Sequence, residues 1–234
     1  MNRSRILHIV LMLTIGSSAL CAMTTEVKAD TAVTAVATHT VSEEEKVMIQ
    51  EIEKTDDKEV LGKFIFLAAE MGFVNALNTL LTGKNVAVNY KNDADRTALH
   101  IAAAFGNADF IQALIGAGAN VDSRDKCDRT PLSDAIIWEN YNCAQLLINA
   151  KANVHLKCTC GETPLSNAAF NARRIISKSP INTDHLRECK ACIKLLLISG
   201  APRNLGDAIV PYFIAGRPQE QALVDECVRE LDKL

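Results

Sequence analysis

Thr97, Thr130 and Thr163 stand 33 residues apart, and each opens a similar five-residue box. The boxes read Arg96-Thr97-Ala98-Leu99-His100, Arg129-Thr130-Pro131-Leu132-Ser133 and Glu162-Thr163-Pro164-Leu165-Ser166. Downstream, ALIGAGANV (113–121) aligns with LLINAKANV (146–154) and more loosely with LLLISGAPR (195–203). A period this short constrains the fold severely. One unit cannot bury its own apolar face, so successive units must stack into a solenoid. The residue types suit a helix pair: Thr caps the first helix, Pro or Ala enters its first turn, and Leu anchors the core. Ala102 and Ala103 are small where two antiparallel helices approach closely.

This period, the TPLH-like box and the Ala-Asn-Val exit resemble the ankyrin repeat family, over roughly residues 60 to 234. The resemblance implies an all-α ankyrin-repeat solenoid of about four helix-pair units, with a C-terminal capping helix pair and one or two N-terminal helices. The units fall at 58–90, 91–123, 124–156 and 157–204, and the cap at 205–234. The first lacks the box and has FIFL instead. In the fourth, 16 extra residues separate Thr163 from the exit at Ala201-Pro202 and are placed near Ala172 to His185, read as a loop between the two helices. Asp95 and Asp128 occupy the usual turn-glycine position, which predicts less regular hairpins. Ahead of the repeats, Ser42 and Glu45 have capping-box spacing, so a helix is expected within 42–57, with a second starting near Asp56 or Asp57.

Residues 1–22 read as a secretory signal peptide: Arg3 and Arg5, then a ten-residue apolar run from Ile6 to Ile15, then small residues. That run is about half the ~20 residues a transmembrane helix needs, so no integral membrane span is expected. Cys21 is a weaker candidate for a lipid anchor. Residues 23–41 are a flexible spacer. Cleavage would take the net charge from −3 to −5 by removing two arginines. The expected location is therefore periplasmic or secreted, where cysteine pairing is chemically allowed. Seven cysteines would remain after cleavage past Cys21, an odd number unlike a disulfide framework.

The acidic balance argues against nucleic acid as a partner. The chain contains no Gly-rich phosphate loop, no GxSxG and no HExxH, so no catalytic residues are assigned and no enzyme activity or cofactor is expected. His100 belongs to the box as a structural hydrogen-bonding group, whereas His155 and His185 have no evident partners.

Cys158, Cys160, Cys189 and Cys192 look at first like two halves of a zinc site. The second pair lies in the early part of a helix whose far end points towards the hairpins, and four thiolates at ~2.3 Å from one ion cannot be gathered from both places. No metal site is assigned. Cys143 and Cys192 read as small apolar core residues. Cys158, where the family usually has Asp, forms with Cys160 a candidate redox pair, and hence an alternative reading of the chain as a thiol-redox or metal-handling factor.

The preferred reading is a non-catalytic module, monomeric and exported, that binds an unidentified protein or peptide partner. In ankyrin proteins the residues after the Ala pair and the hairpin tips line the concave face. Carried over, the resemblance names Met71, Phe105, Ile137, Trp138 and Phe170, with Asn171 beside Phe170, and the tip residues Lys91, Arg124 and Lys126. Met71, Phe105 and Trp138 are repeat equivalents and would form one apolar stripe. Arg173, Arg174 and Lys178 in the insertion are a candidate second contact.

Overall fold

The computed structural model describes residues 42–84, 86–177 and 182–202, with Ala222, residues 225–227 and Arg229. The expected signal peptide, spacer, Lys178 and nearly all of the cap lie outside these. The described residues form helices joined by short hairpins, with a single isolated β-bridge, Lys91 to Thr97.

Helix α1 (Glu43–Lys54) starts where the sequence predicts, with the Ser42 hydroxyl accepting the Glu45 N–H at 3.1 Å. The other half of the expected capping box is absent. Glu45 is buried and turns outward from its own helix, accepting the backbone N–H groups of Asn75 (2.7 Å) and Ala76 (3.1 Å). It thereby caps α3 (Val74–Asn78) of the first unit. The N–H groups at the start of α3, which its own N-cap residue Phe73 leaves uncapped, attract a carboxylate more strongly than one at a helix already capped by serine. With Met48 and Ile52 fully buried below it, α1 covers the open side of the first unit.

The first unit pairs α2 (Lys58–Met71), N-capped by Asp57, with α3 and the π-helical turn Thr79–Gly83 that continues it. The second unit pairs α4 (Ala98–Phe105) with α5 (Ala108–Gly116), and the third α6 (Pro131–Ile137) with α7 (Tyr141–Asn149). The fourth pairs α8 (Pro164–Ile176) with α9 (Thr183–Ile198). Helices α2, α4, α6 and α8 pack in one row, and α3, α5, α7 and α9 in a second. Between the rows lie Leu99, Leu132 and Leu165 from the three boxes, together with Ala68, Ala69, Ala102, Ala103, Ala168 and Ala169. The predicted small pair Ala102 and Ala103 is thus fully buried, and the box leucines anchor each unit.

The box threonines Thr130 and Thr163 accept the N–H three residues on. His100 closes its box differently. Its Nδ1 accepts the Thr97 N–H at 3.1 Å while Nε2 faces the Arg129 carbonyl at 3.1 Å, which requires the neutral ring with its proton on Nε2. Burial lowers the pKa of His100 and keeps that ring neutral.

Two sequence expectations are overturned. The hairpins are regular: Asp95 and Asp128 adopt the left-handed conformation, at φ 58° each, that Gly161 adopts at 79°. Aspartate tolerates this region better than most residues, so the turn survives without glycine. The inserted residues also do not form a long loop. Helix α8 runs to 13 residues against seven in α6, and α9 to 16 against nine in α7. Asn171, Ala172 and Ile175 are buried at helical spacing from Ala168, so the apolar stripe carries α8 onward. Asn182 then caps α9 through the His185 N–H at 3.0 Å.

Candidate functional site

The first-helix row carries the predicted concave residues, and the structure treats them unequally. Phe105 ends α4 and Trp138 follows α6; they expose 55% and 63% of their surface. Ile137 beside Trp138 is half-buried. Met71 is also half-buried and packs on the core, so the expected three-residue stripe reduces to two open aromatics. Phe170 is half-buried because α8 continues past it, and the Arg173 guanidinium lies 5.4 Å from its ring centre. Asn171, carried over as a surface position, is buried; its amide donates to the Ile136 carbonyl at 2.6 Å.

That bond belongs to a series visible only in three dimensions. The Asn107 amide donates to the carbonyls of Ala69 (2.6 Å) and Glu70 (2.9 Å), and Asn140 donates to Ala103 (2.9 Å) and Ala104 (2.8 Å). Each asparagine satisfies the last-turn carbonyls of the preceding unit's first helix, groups with no partner inside that helix. Asn107 and Asn140 are 33 residues apart, so the sequence held this signal. The residue before each is left-handed: Gly106 at φ 79° and Glu139 at 62°.

Glu139 departs from the glycine that stops α2 (Gly72) and α4 (Gly106), and its side chain shows what it does instead. One carboxylate oxygen takes the Arg174 guanidinium and the other takes His185 Nε2 at 2.8 Å. Burial pushes the Glu139 carboxyl up, but the hydrogen bonds from His185 and Arg174 outweigh it and hold the carboxyl below its ordinary range. His185, without an evident partner in the sequence, therefore has one. Of the candidate second contact, Arg174 is engaged inside the fold and Arg173 sits over Phe170.

The hairpin tips form a second ladder. The Asn92 side chain accepts the N–H groups of Ala94 and Arg96, each at 3.0 Å. Asp125 accepts those of Cys127 (2.8 Å) and Arg129 (2.9 Å). Burial pushes the Asp125 carboxyl up, while these N–H groups and the Arg129 charge prevail and hold it low. Cys158 occupies the same position in the fourth unit; burial pushes its thiol above the ordinary range, and the backbone N–H groups of Glu162 and Cys160 offset that only in part. It stands in for the side-chain acceptor, weakly. Between tips, the Lys91 ammonium donates to the Arg124 carbonyl (3.1 Å) and the Arg124 guanidinium to the Lys157 carbonyl (3.3 Å). Lys126 is exposed.

Behind the tips lies a charge cluster that sequence reasoning missed. Asp134 on α6 is wholly buried, with one oxygen bonded to Arg96 at 2.8 Å and the other 3.9 Å from Arg129. Its repeat equivalents are Ile101 and Asn167, so a lone acid in that column was the available signal.

Cys127, Cys158 and Cys160 have unbridged thiols near the surface, as Cys143, Cys189 and Cys192 do in the interior. Burial pushes Cys143 and Cys189 up to about 11 and Cys192 up to about 12, so these interior thiols stay protonated and inert at neutral pH. Among the described residues no three His, Cys, Asp or Glu side chains gather at one point to hold a metal ion, and no helix is long and apolar enough to cross a membrane.

Residues 65–158 match the family model described as ankyrin repeats in three copies. A comparison with curated proteins found no match. The chain carries three ankyrin repeats across that stretch, and its helical architecture is that of an all-α ankyrin-repeat solenoid.

Proposed function

We propose that this chain is an exported, non-catalytic module that binds a protein or peptide partner with the face bearing Phe105 and Trp138. The supporting observation is the exposure of these two aromatics in a row whose other large apolar residues, apart from Ile176 at the far end of α8, are buried or half-buried. Leaving large aromatic side chains in water gives up apolar stabilisation unless another surface covers them. Aromatic anchors surrounded by polar groups are the usual centre of a binding patch. Ile137 and Phe170 extend the apolar floor, Met71 forms its far edge, and Lys91, Arg124 and Lys126 supply a polar rim. Ankyrin repeats are generally protein–protein interaction modules, which favours a protein partner.

Affinity capture from the native host with the tagged chain, compared with a Phe105→Asp/Trp138→Asp variant, tests this reading. A partner held by the parent chain and lost by the variant is the expected result; equal capture by both refutes it. Export is tested separately by N-terminal sequencing of the chain recovered outside the cytoplasm. A mature terminus near Met23 is expected, and an intact Met1 in the cytoplasmic fraction contradicts it.

A further inference from the structure

The thiol-bearing hairpins of the third and fourth units sit in a register that the 33-residue repeat conceals. The Thr159 N–H donates to the Cys127 carbonyl at 2.9 Å, so Cys127 faces the Cys158–Thr159 peptide rather than its repeat equivalent Cys160. One unit earlier the Lys126 N–H donates to the Ala94 carbonyl at 3.0 Å, which makes this offset a property of the stack. The Cα of Cys127 is joined to that oxygen through its own carbonyl, and the Cα of Cys158 to that nitrogen through one peptide. With standard bond lengths the two Cα atoms are at most about 8 Å apart, and closer along any bent path. Disulfides span Cα separations of about 4–7 Å. Cys127 is exposed and Cys158 half-buried, so both are within reach of a small reagent. The earlier pair of hairpins carries Ala94 and Asp125 at these positions and has no such site.

We propose that Cys127 and Cys158 are a dithiol–disulfide pair that cross-links the third and fourth hairpins by exchange with small-molecule disulfides of the glutathione class. The Cys127 thiolate attacks one sulfur of the small disulfide, forming a mixed disulfide and expelling one small thiolate, which takes a proton. The Cys158 thiol gives its proton to solvent and its sulfur attacks the Cys127 sulfur. The bond to the small molecule breaks, and the second small thiolate leaves and is protonated. Two protein thiols are oxidised and one small disulfide is reduced to two thiols. Burial disfavours the Cys158 thiolate and the N–H groups of Glu162 and Cys160 offset this only in part, so the second step is the slower one. The cross-link fixes Lys126 relative to Lys157 at the rim, and the inference holds whether or not the Phe105–Trp138 face binds a partner.

The test is incubation of the full chain with oxidised glutathione, followed by intact mass measurement and non-reducing peptide mapping. A Cys127–Cys158 linked peptide is expected, with loss of about 2 Da for two hydrogens, in the parent chain and in Cys160→Ser. Cys158→Ser should stop at a glutathione adduct on Cys127. Should loss of the turn acceptor unfold that variant, Cys158→Asp restores the acceptor used at Asp125 and still removes the thiol. The proposal is overturned if the hairpin thiols of the parent chain end as adducts only, or if the bridge joins Cys158 to Cys160.

Discussion

The second and third units and the fourth unit start from the same box and stop in different ways. In α4 and α6 the chain turns left-handed at Gly106 or Glu139, and an asparagine steps across to cap the preceding unit. In the fourth unit the aligned stop position is Ala172, a strong helix former, and it is buried. Helix α8 therefore runs on, and Asn171 makes its cross-unit bond from within the helix. The extension is anchored by Arg174 and His185 to Glu139, which stands at the left-handed stop where α2 and α4 have Gly72 and Gly106. A non-glycine residue at positive φ costs about 1 kcal/mol, which the two bonds offset. One substitution in the stop thus supplies an anchor point for the next unit's insertion.

This contrast can be broken at several points. The largest effect is expected where the regular units are joined by charge. Asp134→Ala should cost about 3 kcal/mol, because Arg96 then faces an apolar interior without its partner. Asn167→Ala, at the same position of the fourth unit, should cost under about 1 kcal/mol by urea denaturation, as a half-buried polar residue outside any such cluster. Equal costs would mean the ion cluster adds nothing. Next, Asn140→Ala should lose about 2 kcal/mol with its two bonds, and Asn171→Ala about 1 kcal/mol with its one. Ala172→Gly should cost about 1 kcal/mol and shorten α8, read as faster amide exchange over 173–177; unchanged exchange would show that the stop residue does not set helix length.

The smallest effect is a pH dependence. The folded Glu139 carboxyl titrates below its unfolded value, so its contribution is complete above the unfolded pKa of about 4.3 and is lost as the pH falls through the folded pKa. The stability gap between the parent chain and Glu139→Gln, read by urea denaturation, should be under about 1 kcal/mol at neutral pH for a partly exposed pair, and should close at pH 3. A gap of constant size would show that the carboxylate charge is not involved.

The periodic features were legible in the sequence because they repeat: Thr130 and Thr163 as caps, Leu99, Leu132 and Leu165 as anchors, and the paired alanines. Exposure of Phe105 and Trp138 also followed from repeat position. What escaped depends on bonds across units. Glu45 has capping-box spacing, but a better set of donors lies 30 residues away at Asn75. Asp134 carries no signal of burial in its own segment, because its partners Arg96 and Arg129 come from two different hairpins. The insertion looked like a loop because NARRIISKS carries several charges, although Asn171, Ala172 and Ile175 keep the helical stripe. Met71 and Asn171 share the alignment of Phe105 and Trp138 but not their exposure, since core packing covers the first and the continued α8 buries the second.

The most direct test of the binding face is calorimetric titration of the captured partner into the parent chain and into Phe105→Asp/Trp138→Asp, with helix content followed by circular dichroism. Loss of two aromatic anchors should weaken binding by about 100-fold or more, with the helical signal unchanged. Equal affinity with intact helices would contradict the account, because the two aromatics would then be exposed for a reason other than recognition.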